Sequence, residues 1–283
     1  MTARTAGEAQ TVATPHGTIS YHVVGDGPPL FLLHGSGPGV TGLENFAGNL
    51  DHYATRFRTY VPDLPGYGRS DPSPDGVDRA HESILAMMDA LGVDRASIIG
   101  NSYGGIVASR FAASFPDRAE RIVLIGGLGY NLFAPFPNEG INLLSAFVED
   151  PTADRLRQWL HSMVWDKSVI TDEMVERRLA QALEPVTRET TYKMYSRASL
   201  AALTGFASGA AGLKGLAYLG DIRCPVLLAW GQDDRVSQMD RAFIPMRIIP
   251  DCQVHLFPRC GHWVMIEAKA EFEAITMAFL APR

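Results

Sequence analysis

Apolar and polar residues along this chain change their period several times, and the changes mark its elements. Short runs rich in aliphatic and β-branched residues occur at positions 30–34, 59–61, 97–99, 122–125, 226–230 and 254–257. Each is too short for a helix, and between them lie longer stretches with apolar residues every three or four positions. Continuous apolar strands alternating with amphipathic helices predict a mostly parallel sheet covered on both faces. An earlier run, 18–24, passes through Gly25-Asp26-Gly27-Pro28-Pro29 into the next strand, so the sheet is expected to start antiparallel.

Between about residues 128 and 215 the alternation stops and the pattern is helical. This divides the chain into a core, 1–127 with 216–283, and a helical insertion, 128–215. Asp150-Pro151-Thr152 offers a capping side chain with proline near the first turn of one helix. Thr171-Asp172-Glu173 opens another, with acids at the positive end of its dipole, and Pro185 is expected to end it. On that second helix Met174, Val175, Leu179, Ala182 and Leu183 form an apolar stripe, and Arg178 falls on the stripe. Arg177 is expected to pair with Glu173 on the opposite face.

Composition narrows the partners. A net charge of −6 over 283 residues, without a basic run, gives no nucleic-acid surface. Cys224, Cys252 and Cys260 are odd in number and lack a CxxC spacing, which argues against a disulfide framework or a zinc site and for a cytoplasmic location. No apolar run approaches the ~20 residues of a membrane span, and the first residues lack the apolar core of a secretion signal, so no membrane contact is expected.

The chemistry enters at the 97–99 strand, which runs into Gly100-Asn101-Ser102-Tyr103-Gly104-Gly105 and then a helical stretch. A serine on a tight strand-to-helix turn has a strained backbone, and neighbours without side chains relieve the crowding; this is the nucleophile elbow, with Ser102 at its tip. A serine hydroxyl needs a base, and the base needs an orienting acid. His262 follows the 254–257 strand and supplies the base. The acid should follow a strand, and Asp233 and Asp234 both follow 226–230; spacing does not choose between them. The order serine, acid, histidine suits the α/β-hydrolase fold.

The loop His34-Gly35-Ser36-Gly37-Pro38-Gly39 supports two readings. Gly37 to Gly42 spells GxGxxG, and Asp63 stands where a dinucleotide site would place its ribose-binding acid. Pro38, however, removes an amide that a pyrophosphate would use, and this reading leaves Ser102 and His262 without a role. In a hydrolase the amide of Ser36, with that of Tyr103, would stabilise the oxyanion formed when Ser102 attacks a carbonyl.

These segments resemble the meta-cleavage-product hydrolases, a carbon–carbon hydrolase branch of the α/β-hydrolase superfamily. The resemblance is carried by HGSGPG at 34–39, Asn45, PGYGRS at 65–70, GNSYGG at 100–105, GQDDR at 231–235 and RCGHW at 259–263. It implies a mostly parallel central sheet flanked by helices under a helical lid, with Asp234 as the acid. The implied substrate is a 2-hydroxy-6-oxo-dienoate from aromatic ring cleavage. It tautomerises to a diketone, acylates Ser102 at C6 as a hydroxydienoate leaves, and is freed by water activated by His262. No metal or organic cofactor is implied. Arg178 takes the place of the family's lid arginine, to hold the dienoate carboxylate, with Asn45, Asn101 and Trp263 around it. Tyr103 stands where methionine is usual, and Leu179 where an aromatic is frequent. The expected partner is therefore a small anionic molecule, and a homo-oligomer is allowed. An esterase or lactonase with the same three residues is the alternative, and a non-catalytic ligand receptor a third class.

Overall fold

Leu30 and Leu32 join one hydrophobic core while Phe31 and Leu33 join another, the period-two signature of a strand buried on both faces. In the computed structural model, which describes residues 7–73, 79–129, 136–204 and 214–281, this strand belongs to a single sheet. Its strands are β1 (Gln10–Thr14), β2 (Gly17–Val24), β3 (Pro29–Leu33), β4 (Arg58–Pro62), β5 (Ala96–Asn101), β6 (Ala119–Ile125), β7 (Val226–Gly231) and β8 (Cys252–Phe257). Their order is β1-β2-β4-β3-β5-β6-β7-β8, antiparallel at β1-β2 and β2-β4 and parallel elsewhere. The expected apolar runs each fall within one of these strands or reach one residue past its end. β1 was not expected: only Val12 of Gln-Thr-Val-Ala-Thr packs on the core, at a sheet edge where alternation is faint.

One face carries α3 (Ala80–Ala90) and α4 (Tyr103–Ser114), with Ile84, Met87, Val107 and Phe111 closing a core with Ile98 and Leu124. The other carries α1 (Gly42–Phe46), α2 (Leu50–Tyr53) and the C-terminal helix Lys269–Leu280. Between β6 and β7 lie α5 (Glu139–Glu149), α6 (Ala153–Met163), α7 (Asp172–Ala182), α8 (Pro185–Tyr195) and α9 (Arg197–Thr204). Ile141, Leu144, Trp159, Leu160 and Val175 from these helices share one apolar cluster with Ile99, Ile125 and Ala229 of the sheet, so the helices sit directly on it. The expected junctions of this insertion, 128 and 215, border residues 130–135 and 205–213, which lie outside the described residues.

Four local expectations change. Helix α6 is capped by Thr152, whose hydroxyl accepts from the Arg155 amide, while Asp150 closes the preceding helix and pairs with Arg155. Pro185 does not merely end α7; it is the first residue of α8, where its missing N–H costs nothing. Arg177 pairs with Glu44 of α1 at 2.5 and 3.0 Å rather than with Glu173, because α7 docks against α1 and a two-bond guanidinium–carboxylate fork outweighs an i,i+4 contact. Along α7, Val175, Arg178 and Ala182 are buried, and Leu183 of the expected stripe is 43% exposed.

Candidate active site

Ser102 sits between β5 and α4 with φ 53° and ψ −114°, one of two described non-glycine residues with positive φ. The conformation is held by its amide donating to Ile125 O at 2.6 Å and its carbonyl accepting from Gly105 and Ile106 at 2.9 and 3.1 Å. A Cβ on Gly104 would lie 2.2 Å from Leu33 O, and one on Gly100 would lie 2.2 Å from Gly104 O. The two outer glycines of the motif are therefore required by close backbone approach, and the serine at the tip bears the strain.

His262 lies on the loop after β8, anchored by its amide to Met163 O at 2.7 Å. Its Nδ1 is 2.6 Å from Asp234 Oδ2, and both side chains are about 1% exposed. Asp234 is itself fixed, because its Oδ1 accepts the amides of Val236 and Ser237 at 2.9 and 2.7 Å. With Nδ1–H donated to a carboxylate, Nε2 presents its lone pair; it is buried, has no protein partner, and His262 lines the same cavity as Ser102. Asp233 is half-buried, and its amide donates to Cys260 O. Of the two aspartates left open by spacing, Asp234 meets the histidine.

The cavity holds about 710 Å³ and is roofed by the inserted helices. Ser36, Asn45, Asn101, Tyr103, Arg178 and Trp263 all line it together with Ser102 and His262. Asn45 Oδ1 accepts from the Gly35 amide at 2.9 Å, leaving Nδ2 buried and unpartnered. Asn101 Nδ2 reaches His262 O at 3.5 Å. Arg178 is 2% exposed, with its guanidinium 4.9 Å from the centroid of the Trp263 ring, NH1 3.5 Å from Pro38 O, and Nε without a partner. Among the described residues it makes no ion pair. Burial pushes its pKa down to about 10, still charged at neutral pH.

The loop after β3 is no dinucleotide cradle. Asp63 Oδ1 accepts the Gly42 amide at 2.9 Å and Oδ2 the Arg69 amide at 3.2 Å, so the acid closes its own loops. His34 is structural in geometry: Nε2 accepts from Leu64 N at 2.8 Å, Nδ1–H donates to Gly35 O at 2.5 Å, and burial lowers its pKa. His255 meets Glu271 away from the cavity. Among the described residues no group of three or more His, Cys, Asp or Glu converges as a metal set, and no helix is long and apolar enough to cross a membrane.

Sequence reasoning missed Tyr195, Arg241, Ser237 and Trp159, which also line the cavity. The Tyr195 hydroxyl hydrogen-bonds the Ser36 hydroxyl, and Tyr67 donates to Ser36 O at 3.1 Å, so the loop is braced from two sides. No local pattern marks these residues; only the docking of distant segments brings them in.

Residues 28–269 match the alpha/beta hydrolase fold family. The chain is 36% identical to the 2-hydroxy-6-oxo-6-phenylhexa-2,4-dienoate hydrolase of Burkholderia cepacia, over 93% of this chain and 91% of that protein. It is 34% identical to the 2-hydroxy-6-oxononadienedioate/2-hydroxy-6-oxononatrienedioate hydrolase of Comamonas testosteroni, again over 93% and 91%. A solved meta-cleavage product hydrolase from Pseudomonas fluorescens IP01 superposes with a TM-score of 0.84 at 27% identity, covering 95% of this chain and 96% of that one. With the elbow, the histidine–aspartate pair and the roofed cavity already in place, the chain belongs to the α/β-hydrolase fold family and, within it, to the meta-cleavage-product hydrolases.

Proposed function

We propose that this enzyme hydrolyses the C5–C6 bond of a 2-hydroxy-6-oxohexa-2,4-dienoate, with Ser102 as nucleophile, His262 as base and Asp234 as the group that orients it. The observation that carries this reading is Arg178: a guanidinium buried beside Trp263, making no ion pair among the described residues, in the cavity that holds Ser102. A buried cation costs several kcal/mol unless an anion meets it, and a dienoate carboxylate supplies that anion in a two-bond geometry. An ordinary ester offers nothing there.

The chemistry follows from the placement. The dienol substrate first shifts its O2 proton to C5, giving a 2,6-diketone held by Arg178, Asn45 and Trp263. Ser102 Oγ then attacks C6 and passes its proton to His262 Nε2, whose charge Asp234 balances. The amides of Ser36 and Tyr103 stabilise the oxyanion. The C5–C6 bond breaks, and the electron pair is delocalised to the C2 carbonyl oxygen, so a 2-hydroxypenta-2,4-dienoate departs after protonation. Water, deprotonated by His262, hydrolyses the acyl-serine and releases the carboxylic acid. Helices α5–α9 act as the lid that keeps bulk water out. A cytoplasmic location is part of this reading, supported by the three free thiols.

The test is turnover of a coloured ring-fission dienoate beside a p-nitrophenyl ester. Dienoate kcat/KM is expected to exceed that of the ester; an active esterase without detectable dienoate cleavage would sink the assignment. Arg178→Gln is expected to lower dienoate kcat/KM at least tenfold more than ester kcat/KM.

A further inference from the structure

Helix α8 roofs the cavity with little apolar hold on the body beneath it. It buries Thr187 and Thr191, and the Thr191 hydroxyl turns back to donate to Thr187 O at 2.8 Å. Its Val186 and Tyr192 are 43% and 47% exposed. The helix meets the apolar cores through its last two residues, Met194 on one and Tyr195 on the other. A helix with so few apolar contacts has a small local free energy of opening, so what Met194 and Tyr195 touch decides what its opening undoes.

Both residues lead to the loop after β3. The Tyr195 hydroxyl hydrogen-bonds the Ser36 hydroxyl, and the Tyr67 hydroxyl lies 3.1 Å from Ser36 O and 3.4 Å from Met194 Sδ, one acceptor on the loop and one on the helix. A Cβ on Gly66 would lie 2.7 Å from Thr190 Oγ1, so the loop that carries Tyr67 is itself packed against α8. Ser36 stands beside the nucleophile, since a Cβ on the preceding Gly35 would lie 3.4 Å from Ser102 Cβ. The Gly35 amide is spent on Asn45 Oδ1 at 2.9 Å, whereas the Ser36 amide has no hydrogen-bond partner among the described residues. Burial raises the pKa of both phenols, so each keeps its proton at neutral and mildly alkaline pH.

We infer that Tyr195 is a positioning residue for the reaction: through the Ser36 hydroxyl it fixes the Ser36 amide where the oxyanion forms, so that the oxyanion hole is complete only while α8 is seated. An oxyanion donor works by being in place before charge develops, and a displacement of about 1 Å forfeits much of its effect. With α8 lifted, Ser36 loses its hydroxyl partner and Tyr67 loses its second acceptor, and Ser102 faces a carbonyl with the Tyr103 amide as the remaining firm donor. Attack is thereby tied to a closed cavity that excludes bulk water. Tyr195 acts on the charge that develops at the attacked carbonyl whatever the rest of the substrate is, and in this it differs from Arg178, which holds the dienoate.

The role of Tyr195 rests on the roles proposed above for Ser102 and Ser36, and it is the same whichever bond is cleaved. Tyr195→Phe, which removes one hydroxyl, is expected to lower kcat about tenfold to a hundredfold for the dienoate and by a similar factor for a p-nitrophenyl ester, with KM within about twofold. The affinity of phenylboronic acid, whose tetrahedral adduct with Ser102 puts an oxygen in the oxyanion hole, should fall by the same factor. Ser36→Ala severs the same bond from the core side and should match it, and the double variant should lose no more than either single one. Tyr192→Phe, on the exposed face of α8, should stay within about twofold of wild type. A raised KM at unchanged kcat, ester activity that is spared, or losses that multiply in the double variant would overturn the role. If Tyr195→Phe does not fold, Ser36→Ala decides: wild-type kcat with wild-type boronic acid affinity in that variant overturns the inference. Ester turnover without dienoate turnover removes the carbon–carbon reading and leaves the ester and boronic acid measurements to judge Tyr195.

Discussion

The Arg178 guanidinium lies over the Trp263 ring, 4.9 Å from its centroid, and neither residue is more than 2% exposed. The indole face gives the cation a quadrupole partner that keeps it in place without neutralising it. Removing the charge should therefore weaken the hold on a substrate carboxylate rather than unfold the lid. Arg178→Gln is expected to cost about 2 kcal/mol or more in dienoate kcat/KM, that is about 30-fold, with most of the loss in KM. Trp263→Leu should show a smaller loss in the same direction. A loss in kcat alone, at unchanged KM, would assign Arg178 to the bond-breaking step instead.

Asp234 and Asp233 make opposite predictions although they are adjacent. An asparagine at 234 can still accept the Val236 and Ser237 amides with its oxygen, which turns its NH2 toward His262 Nδ1. That forces the imidazole proton onto Nε2, the atom that must accept from Ser102. Asp234→Asn should lower kcat about 10³- to 10⁴-fold with the fold intact. Asp233→Asn should stay within about threefold of wild type. Steady-state kinetics with circular dichroism on both variants decides it, and comparable losses would remove the distinction.

The thiols should be bystanders. Burial pushes Cys224 up to about 11; burial and the Asp251 charge do the same for Cys252; burial with Glu267 and Asp234 lifts Cys260 further. Because the thiolate is the reactive form, raised values mean that reactivity appears only as pH approaches 11. At pH 8 the thiolate population of Cys224 and Cys252 is about a hundredfold below that of an ordinary cysteine. Incubation with iodoacetamide at pH 8 should leave activity unchanged over hours, while a sulfonyl fluoride should inactivate. Rapid alkylation that substrate prevents would contradict the serine assignment.

The sequence made β3 to β7 legible because each carries an apolar run buried on two faces, showed the half-exposed edge strand β8 through its short run at 254–257, and left β1 unread because its pairing with β2, not its composition, makes it a strand. The elbow at Ser102 was equally visible, being a local demand of backbone geometry on Gly100 and Gly104. The choice between Asp233 and Asp234 was not, because neighbouring loop residues differ only in which one two amides turn inward. Arg177 was misread for a related reason: its helical neighbour Glu173 is visible in the sequence, whereas Glu44 arrives only when α7 docks on α1. Tyr195, Ser237 and Arg241 likewise have no local signature.

That docking is close enough to test with a single methyl group. Gly39 has φ +64° and a Cβ there would lie 2.0 Å from Arg178 O, so the loop after β3 touches the backbone of α7. Alanine at this position must adopt a left-handed conformation and also push α7, with Arg178, away from the cavity. Gly92 supplies the comparison, since its φ is +66° but nothing lies within 4 Å of its Cβ position. Gly92→Ala carries the backbone cost alone, about 1–2 kcal/mol, and should leave dienoate KM unchanged. Gly39→Ala carries that cost plus about 1–3 kcal/mol for the clash, and should raise dienoate KM as Arg178 is displaced. Urea unfolding and steady-state kinetics on the pair separate the two effects. Equal destabilisation with equal KM would mean that the contact between loop and lid does not position the arginine.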